Sequence, residues 1–175
     1  DQPPPPKLPL TLVLALPRPK MIRRIFRSVA ELGIEKLIII NSYKVEKSFW
    51  KSPALNAENI EKYLISGLQQ AKDTVVPSVT FARLFKPFVE DQLSEIIAGK
   101  RAFIAHPGSA TTCPTNITES AVLAVGPEGG FSQYEVEKFN EIGFESIHLG
   151  SRILRVENAI TCLLYTSPSP RDDIS

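Results

Sequence analysis

Cysteine is scarce in this chain, which has only Cys113 and Cys162 among its 175 residues. The two lie far apart, and neither has a histidine or a second cysteine at the spacing typical of metal ligands. The sequence therefore argues against a disulfide-stapled scaffold and against a zinc site, and we expect no metal. Scarce cysteine of this kind favours a reducing, cytoplasmic setting.

Long apolar runs are also missing. None approaches the ~20 residues that a membrane-spanning helix needs, and the proline-rich start does not resemble the basic and then apolar pattern of a secretory signal. The net charge is only +1, so any contact with RNA must come from local clusters of charge. With 43% hydrophobic residues, the chain can bury one core of ordinary size. We expect one soluble domain with no membrane partner.

The two ends lack the apolar periodicity of a folded segment. Residues 1–9 (DQPPPPKLP) are dense in proline and are expected to form an extended linker remnant. Residues 166–175 (TSPSPRDDIS) carry two prolines that stop the preceding helical pattern, and we expect a disordered, non-native tail. The folded domain is therefore predicted to span residues 10–165.

Between these ends, short apolar runs alternate with segments of helical periodicity. Strands are predicted over residues 10–16, 36–40, 76–82, 101–105, 121–125 and 146–149. Helices are predicted over residues 21–32, 56–71, 87–98, 132–143 and 156–165, with Asn56 and a Ser132–Glu135 capping box as start signals. This alternation predicts an α/β fold in which a parallel sheet carries helices on both faces.

Two loops near the C-terminus form the strongest functional signal. One is residues 126–130 (GPEGG), the other residues 149–157 (LGSRILRVE), and each lies between a strand-like and a helix-like run. Glycines let backbone groups approach a ligand, and open α/β sheets bind ligands at the carboxyl ends of their strands. The first loop alone is better explained by a tight strand-to-helix turn than by anion binding at a helix N-terminus. Together the loops indicate one ligand site, and the absence of GxGxxG and of a P-loop argues against a nucleotide.

The motifs GPEGGFSQYEVE and LGSRILRVENA resemble the signature of the SPOUT-class RNA methyltransferases, specifically the ribosomal RNA uridine-N3 methyltransferase family. A looser similarity extends through residues 105–108 and 17–20. The resemblance implies a C-terminal trefoil knot, a homodimer, S-adenosyl-L-methionine as cofactor, and methylation of N3 of a uridine in the 16S ribosomal RNA of the small ribosomal subunit. It also implies a small β-rich RNA-binding domain before the methyltransferase domain, which residues 1–9 are too short to form.

The resemblance assigns cofactor contacts to residues of both loops and to one histidine nearby. They are Val125, Gly126, Pro127, Glu128, Gly129, Gly130, Leu149, Gly150, Ile153, Leu154, Asn158 and His106. Ile153 and Leu154 would enclose the adenine, with ordinary core packing as the alternative. Asn158 departs from the family, in which threonine is commoner. A Gly129→Val substitution is expected to abolish cofactor binding because it blocks the approach of the backbone.

Methylating N3 of uracil requires loss of its N–H proton while the nitrogen attacks the sulfonium methyl group in line. Arg152 and Arg155 suit phosphate contacts but cannot act as bases. Arg155 is the stronger candidate of the two for orienting RNA at the catalytic site, because it flanks Glu157 at the predicted start of the last helix. Alternatively, Arg155 and Glu157 form a surface ion pair. Glu128 and Glu157 are the acids of the loops, and either can instead bond N–H groups at a helix start, so the base stays open.

Positive charge concentrates on the first predicted loop and helix, and a few other residues can contact RNA. The candidates are Arg18, Lys20, Arg23, Arg24, Arg27 and Gln70. An RNA-binding stripe and a solvated helix face remain open alternatives for the basic residues, and phosphate contacts of this kind would position RNA rather than select its sequence. Trp50 can stack on a base or pack beneath a loop.

Two other functional classes remain. The chain can be a non-catalytic RNA- or ribosome-binding module that keeps the fold, which would have no need of the cofactor. An α/β enzyme acting on a phosphorylated small molecule ranks below both, because the phosphate-loop pattern is missing.

Overall fold

The computed structural model describes residues 8–148 except 74, 107, 110 and 112–118. The described strands are β1 Leu8–Ala15, β2 Ile34–Ile40, β3 Ser78–Ala82, β4 Arg101–Ala105, β5 Ala121–Val125 and β6 Glu145–Ile147. They form one sheet in the order β3-β2-β1-β5-β4-β6, and every neighbouring pair is parallel. The predicted parallel α/β sheet is confirmed over this part of the chain.

Helices connect the strands. They are α1 Pro19–Glu31, α2 Ala57–Ala71, the composite α3 and α4 Gln133–Glu141. Helix α3 joins the α-helical turn Phe85–Pro87, the π-helical stretch Phe88–Leu93 and the α-helical turn Ser94–Ile96. Two 3₁₀ turns, Lys47–Lys51 and Pro53–Leu55, lie between β2 and α2.

The helices cover both faces of the sheet. Helices α1 and α2 pack against each other, while α3 meets α4 through an edge-to-face contact between Phe85 and Phe139. Crossovers between parallel strands are right-handed, and the connections through α1 and α2 step across the sheet in the opposite direction to those through α3 and α4. The two helix pairs therefore lie on opposite faces.

The centre of the sheet forms the core. Every residue of β5 is buried, and so is β1 from Leu10 to Ala15, because these strands are covered on both faces. Strand β3 is an edge in the described sheet and is mostly exposed. Continuous apolar runs in the sequence thus identified the central strands correctly.

The starts of α2, α3 and α4 can be compared with the helix-start signals in the sequence. Ser132 and Glu135 form the predicted capping box at α4. Asn56 is the N-cap of α2, but its side chain makes no capping hydrogen bond. Helix α3 begins at Phe85 rather than at the predicted residue 87, because Pro87 falls in the first turn, where a missing N–H costs little.

Candidate functional site

The strand order implies a crevice between β1 and β5, which are neighbours although the chain leaves them in opposite directions. The chain from β1 leads to β2 on one side, and the chain from β5 leads past β4 to β6 on the other. Loops that diverge in this way open a ligand crevice at the carboxyl ends of the strands. Residues 126–130, which we call the glycine turn, leave β5 at this point.

The glycine turn is closed by its own backbone. A Cβ atom on Gly126 would lie 2.9 Å from the backbone nitrogen of Phe131 and 3.2 Å from the carbonyl carbon of Gly130, so no larger residue fits without opening the turn. Gly130 has a φ of +80°, which glycine tolerates best, and its N–H donates to the Pro127 carbonyl at 2.8 Å. Pro127 is buried, whereas Glu128 and Gly129 are exposed. The tip of the turn is thus exposed to solvent.

A buried carboxylate at the start of α4, just after this turn, holds the loop after β2. Glu135 is only 3% exposed, and its Oε1 accepts hydrogen bonds from the Ser132 N–H at 2.9 Å and the Ser42 hydroxyl at 3.0 Å. Its Oε2 accepts from the Tyr43 N–H at 2.9 Å. Three donors on one carboxylate satisfy it away from water. We call this arrangement the Glu135 clamp.

A second bridge crosses the same gap. The Lys44 ammonium donates to the Gly129 carbonyl at 2.8 Å, and a Cβ atom on Gly129 would lie 3.0 Å from Lys44 Cδ. Because that neighbour is the flexible part of a side chain, Gly129 tolerates a small substituent better than Gly126 does. Lys44 and the Glu135 clamp together fix the loop after β2 against the glycine turn.

Sequence reasoning found the glycine turn and the capping box but missed Ser42, Tyr43 and Lys44. The clamp joins Glu135 to Ser42 and Tyr43, which lie 93 and 92 positions before it in the sequence. No local sequence pattern predicts a contact over such a distance. A glutamate at the third helical position predicts the reciprocal cap, but nothing in that motif predicts that the same carboxylate serves a second loop.

His106 lies at the carboxyl end of β4, one strand away from β5. Its backbone N–H donates to the Ile147 carbonyl at 2.8 Å, and its backbone carbonyl accepts from the Ser109 N–H at 3.1 Å. The imidazole Nε2 would lie 3.5 Å from a Cβ on Gly108, so the ring folds over its own loop. The structure puts His106 at the carboxyl edge of the sheet, and its contact with a cofactor stays a prediction.

The structure separates the predicted RNA contacts from one another. Arg18 is the N-cap residue of α1, shortly after the carboxyl end of β1, and its side chain makes no capping hydrogen bond. The basic side chains of α1 are exposed, opposite the buried Ile22 and Ile25, and Arg27 lies over the Tyr63 ring at 5.4 Å. Gln70 is near the end of α2 and therefore lies at the amino-terminal edge of the sheet, away from the glycine turn.

The second predicted loop lies outside the described residues, and so does the predicted knot. This applies to Leu149, Gly150, Arg152, Ile153, Leu154, Arg155, Glu157 and Asn158. Over the described part of the chain, no three histidine, cysteine or acidic residues cluster as a metal site would require. Within that same part, no helix has the length and apolar character to cross a membrane.

The sequence profile of the RNA methyltransferase domain family matches residues 4–166 of the chain. The chain belongs to the RNA methyltransferase domain family. The domain is 31% identical over 156 residues to the ribosomal RNA small subunit methyltransferase E of Treponema pallidum (strain Nichols), covering 86% of this chain and 58% of the relative. It is 26% identical over 153 residues to ribosomal RNA small subunit methyltransferase E 1 of Borreliella burgdorferi, covering 86% of this chain and 63% of the relative.

A solved structure shares the fold of the domain. The ribosomal RNA small subunit methyltransferase E of Neisseria gonorrhoeae, bound to S-adenosyl methionine, aligns with a TM-score of 0.72 at 22% identity, over 94% of this chain and 67% of that one. The chain thus spans about three fifths to two thirds of the length of these relatives.

Proposed function

We propose that this chain is the methyltransferase domain of an S-adenosyl-L-methionine-dependent enzyme that methylates N3 of a uridine in 16S ribosomal RNA. The observation that carries the proposal is a glycine turn at the crevice of a parallel sheet, in a chain of the RNA methyltransferase domain family. The names of the relatives support ribosomal RNA of the small subunit as substrate. The resemblance of the two loop motifs supports uridine N3 as the target atom.

The glycine turn fits a cofactor of this kind. A Cβ atom on Gly130 would meet no atom within 4 Å, so open space adjoins the turn at that residue. Gly126, in contrast, is packed tightly against Gly130 and Phe131. When bound, S-adenosyl-L-methionine supplies a methyl group on a positively charged sulfur. The neighbour from Neisseria gonorrhoeae carries this molecule, which supports the same ligand here.

The residues of the chain would position the reactants. The glycine turn would hold one side of the cofactor with backbone groups, and the loop over residues 149–157 would hold the other. Arg152 and Arg155 would bind RNA phosphate, because guanidinium groups match phosphate oxygens in pairs. In this scheme the enzyme gains rate chiefly by aligning the uracil N3 with the methyl group and by removing its proton.

The assembly and setting follow from the same resemblance. In this proposal the domain over residues 10–165 acts in the cytoplasm as a homodimer, and its partner is the small ribosomal subunit. Light scattering coupled to size exclusion tests the assembly, since a dimer has twice the mass of the 19.4 kDa chain. A monomer that nonetheless methylates RNA would contradict the dimer while leaving the reaction intact.

Methyl transfer is the direct test of the function. The purified chain is incubated with deuterium-labelled S-adenosyl-L-methionine and small ribosomal subunits, and the digested RNA is examined by mass spectrometry for labelled 3-methyluridine. We expect label in 3-methyluridine, and much less with Gly126→Ala. Label in another nucleoside would contradict the target atom, and a folded chain that labels no RNA would contradict the proposed activity.

A further inference from the structure

The loop after β2 presents one aromatic ring to solvent beside the glycine turn. Tyr43 is 85% exposed, although both Ser42 and Val45 in the same turn are buried. We call residues 42–45 the Tyr43 turn. An exposed aromatic ring alone is common, so its significance here depends on how the backbone beneath it is held.

Every other residue of the Tyr43 turn is anchored. The Val45 N–H donates to the Ser42 carbonyl at 3.0 Å and closes the turn. The Glu135 clamp holds the Ser42 hydroxyl and the Tyr43 N–H, and Lys44 donates to the Gly129 carbonyl. The backbone that carries the Tyr43 side chain is therefore fixed relative to the glycine turn. Because this loop is already ordered, the entropic cost of binding a partner is lower.

Trp50, the aromatic residue that the sequence offered for base stacking, is arranged differently from Tyr43. The Trp50 indole donates to the Asn41 side chain at 3.1 Å, meets the edge of the Phe81 ring, and carries the Arg83 guanidinium 4.9 Å from its centroid. Trp50 thus packs within the structure, the second of the two roles that the sequence left open. Tyr43, in contrast, presents its ring to solvent.

Lysines are concentrated in the segment that carries the ring, beside two carboxylates: the buried Glu135, which accepts from the Tyr43 N–H, and the exposed Glu128 of the glycine turn. Residues 42–51 (SYKVEKSFWK) contain three lysines and one glutamate, so this segment has a net charge of +2 in a chain whose total is +1. Lys47 and Lys51 are exposed. Lysines that track a phosphate backbone, next to an aromatic ring on which a base can stack, are how proteins bind single-stranded nucleic acid.

We infer that Tyr43 stacks on an unpaired base of the RNA substrate beside the glycine turn. Sequence-specific RNA recognition relies on splayed bases that stack on aromatic rings, and a base held there would position its neighbours over the crevice. The inference rests on the proposed function, because it takes RNA as the substrate. Tyr43 acts on affinity and placement and takes no part in the chemistry.

Three variants test the inference. Tyr43→Ser removes the ring, Tyr43→Phe keeps it, and Tyr134→Ser removes another exposed ring, which lies on α4 and is 50% exposed. Affinity for a short fluorescein-labelled oligouridylate is measured by fluorescence polarisation at fixed low salt. We expect Tyr43→Ser to weaken binding roughly tenfold, in line with the loss of one base stack, and the other two to stay within about twofold of wild type.

A second readout separates placement from folding. With small ribosomal subunits, Tyr43→Ser is expected to raise KM more than it lowers kcat, while affinity for S-adenosylhomocysteine stays at the wild-type value. Wild-type binding by Tyr43→Ser, or equal losses in Tyr43→Ser and Tyr134→Ser, would overturn the role of Tyr43 and leave the proposed function standing. A wild-type chain that binds no oligouridylate would overturn the role of Tyr43, and only a chain that also labels no 3-methyluridine in small ribosomal subunits would overturn the proposed function as well.

Discussion

At the scale of single residues, the site depends on Glu135. Its carboxylate caps α4 through the Ser132 N–H and holds the loop after β2 through Ser42 and Tyr43. All three of these groups donate, so only a group that accepts at both oxygens satisfies them. The capping half of this role was readable from the sequence, but the contact with the distant loop was not.

Glu135→Gln tests the clamp. A glutamine amide accepts through its oxygen but donates through its nitrogen, so one donor would face another donor in a buried site. We expect the free energy of unfolding to fall by about 1–3 kcal/mol in urea titrations. Glu137→Gln on the same helix is the control, because Glu137 is exposed, and we expect it to stay within about 0.5 kcal/mol of wild type. Equal losses in both variants would contradict the clamp.

The glycine turn gives a matched pair of variants. Gly126→Ala would place a methyl group 2.9 Å from the Phe131 nitrogen and must open the turn, whereas Gly129→Ala would meet only the movable Lys44 side chain. We expect Gly126→Ala to weaken S-adenosylhomocysteine binding at least about tenfold, which corresponds to ~1.4 kcal/mol, and Gly129→Ala to weaken it much less. Equilibrium dialysis with labelled ligand measures both. The reverse ranking would show that the tip, not the base, of the turn governs binding, as the Gly129→Val expectation from sequence assumed.

At the scale of elements, α1 and α2 meet at a glycine. A Cβ atom on Gly67 would lie 2.2 Å from the Arg27 carbonyl oxygen and 2.8 Å from Ala30 Cβ, so the two helix backbones approach as closely as they do only because residue 67 has no side chain. The helical periodicity of the sequence identified both helices. It did not reveal this contact, because a glycine in a helix reads locally as a weakness rather than as a packing site.

Gly67→Ala is expected to destabilise the fold although alanine favours helix. Overpacking should cost about 1–3 kcal/mol, and the midpoint of thermal unfolding, followed by circular dichroism, should fall accordingly. Ser66→Ala, an exposed position on the same helix, is expected to change stability by less than about 0.5 kcal/mol. If Gly67→Ala were as stable as wild type, the close contact between α1 and α2 would be refuted.

Helices α3 and α4 are linked by charge. The hydrogen bond from Lys138 to Glu90, at 3.3 Å, raises the pKa of the Lys138 ammonium above its ordinary value. A raised pKa means that the stabilisation is fully present at neutral pH and is lost as pH rises through the pKa of the folded state. Lys138→Met is therefore expected to lower the thermal midpoint slightly at neutral pH and less in strong alkali. A difference that widened with alkali would contradict this sign.

At the scale of the whole molecule, sequence reasoning found the strands but not their order. Continuous apolar runs indicate strands that are buried on both faces, and for this reason the predicted positions of β1, β4 and β5 agree well with the structure. Their order depends on tertiary packing, and no periodicity records that β1 lies beside β5. The crevice follows from this order, so its position became evident only in three dimensions.

The most direct test of the whole account is a calorimetric titration of S-adenosyl-L-methionine into the purified chain, with folding checked by circular dichroism in the same buffer. We expect saturable binding near one site per chain, and its loss on Gly126→Ala. No binding by a cooperatively folded chain, or full binding by Gly126→Ala, would contradict the central claim that the glycine turn after β5 holds the cofactor.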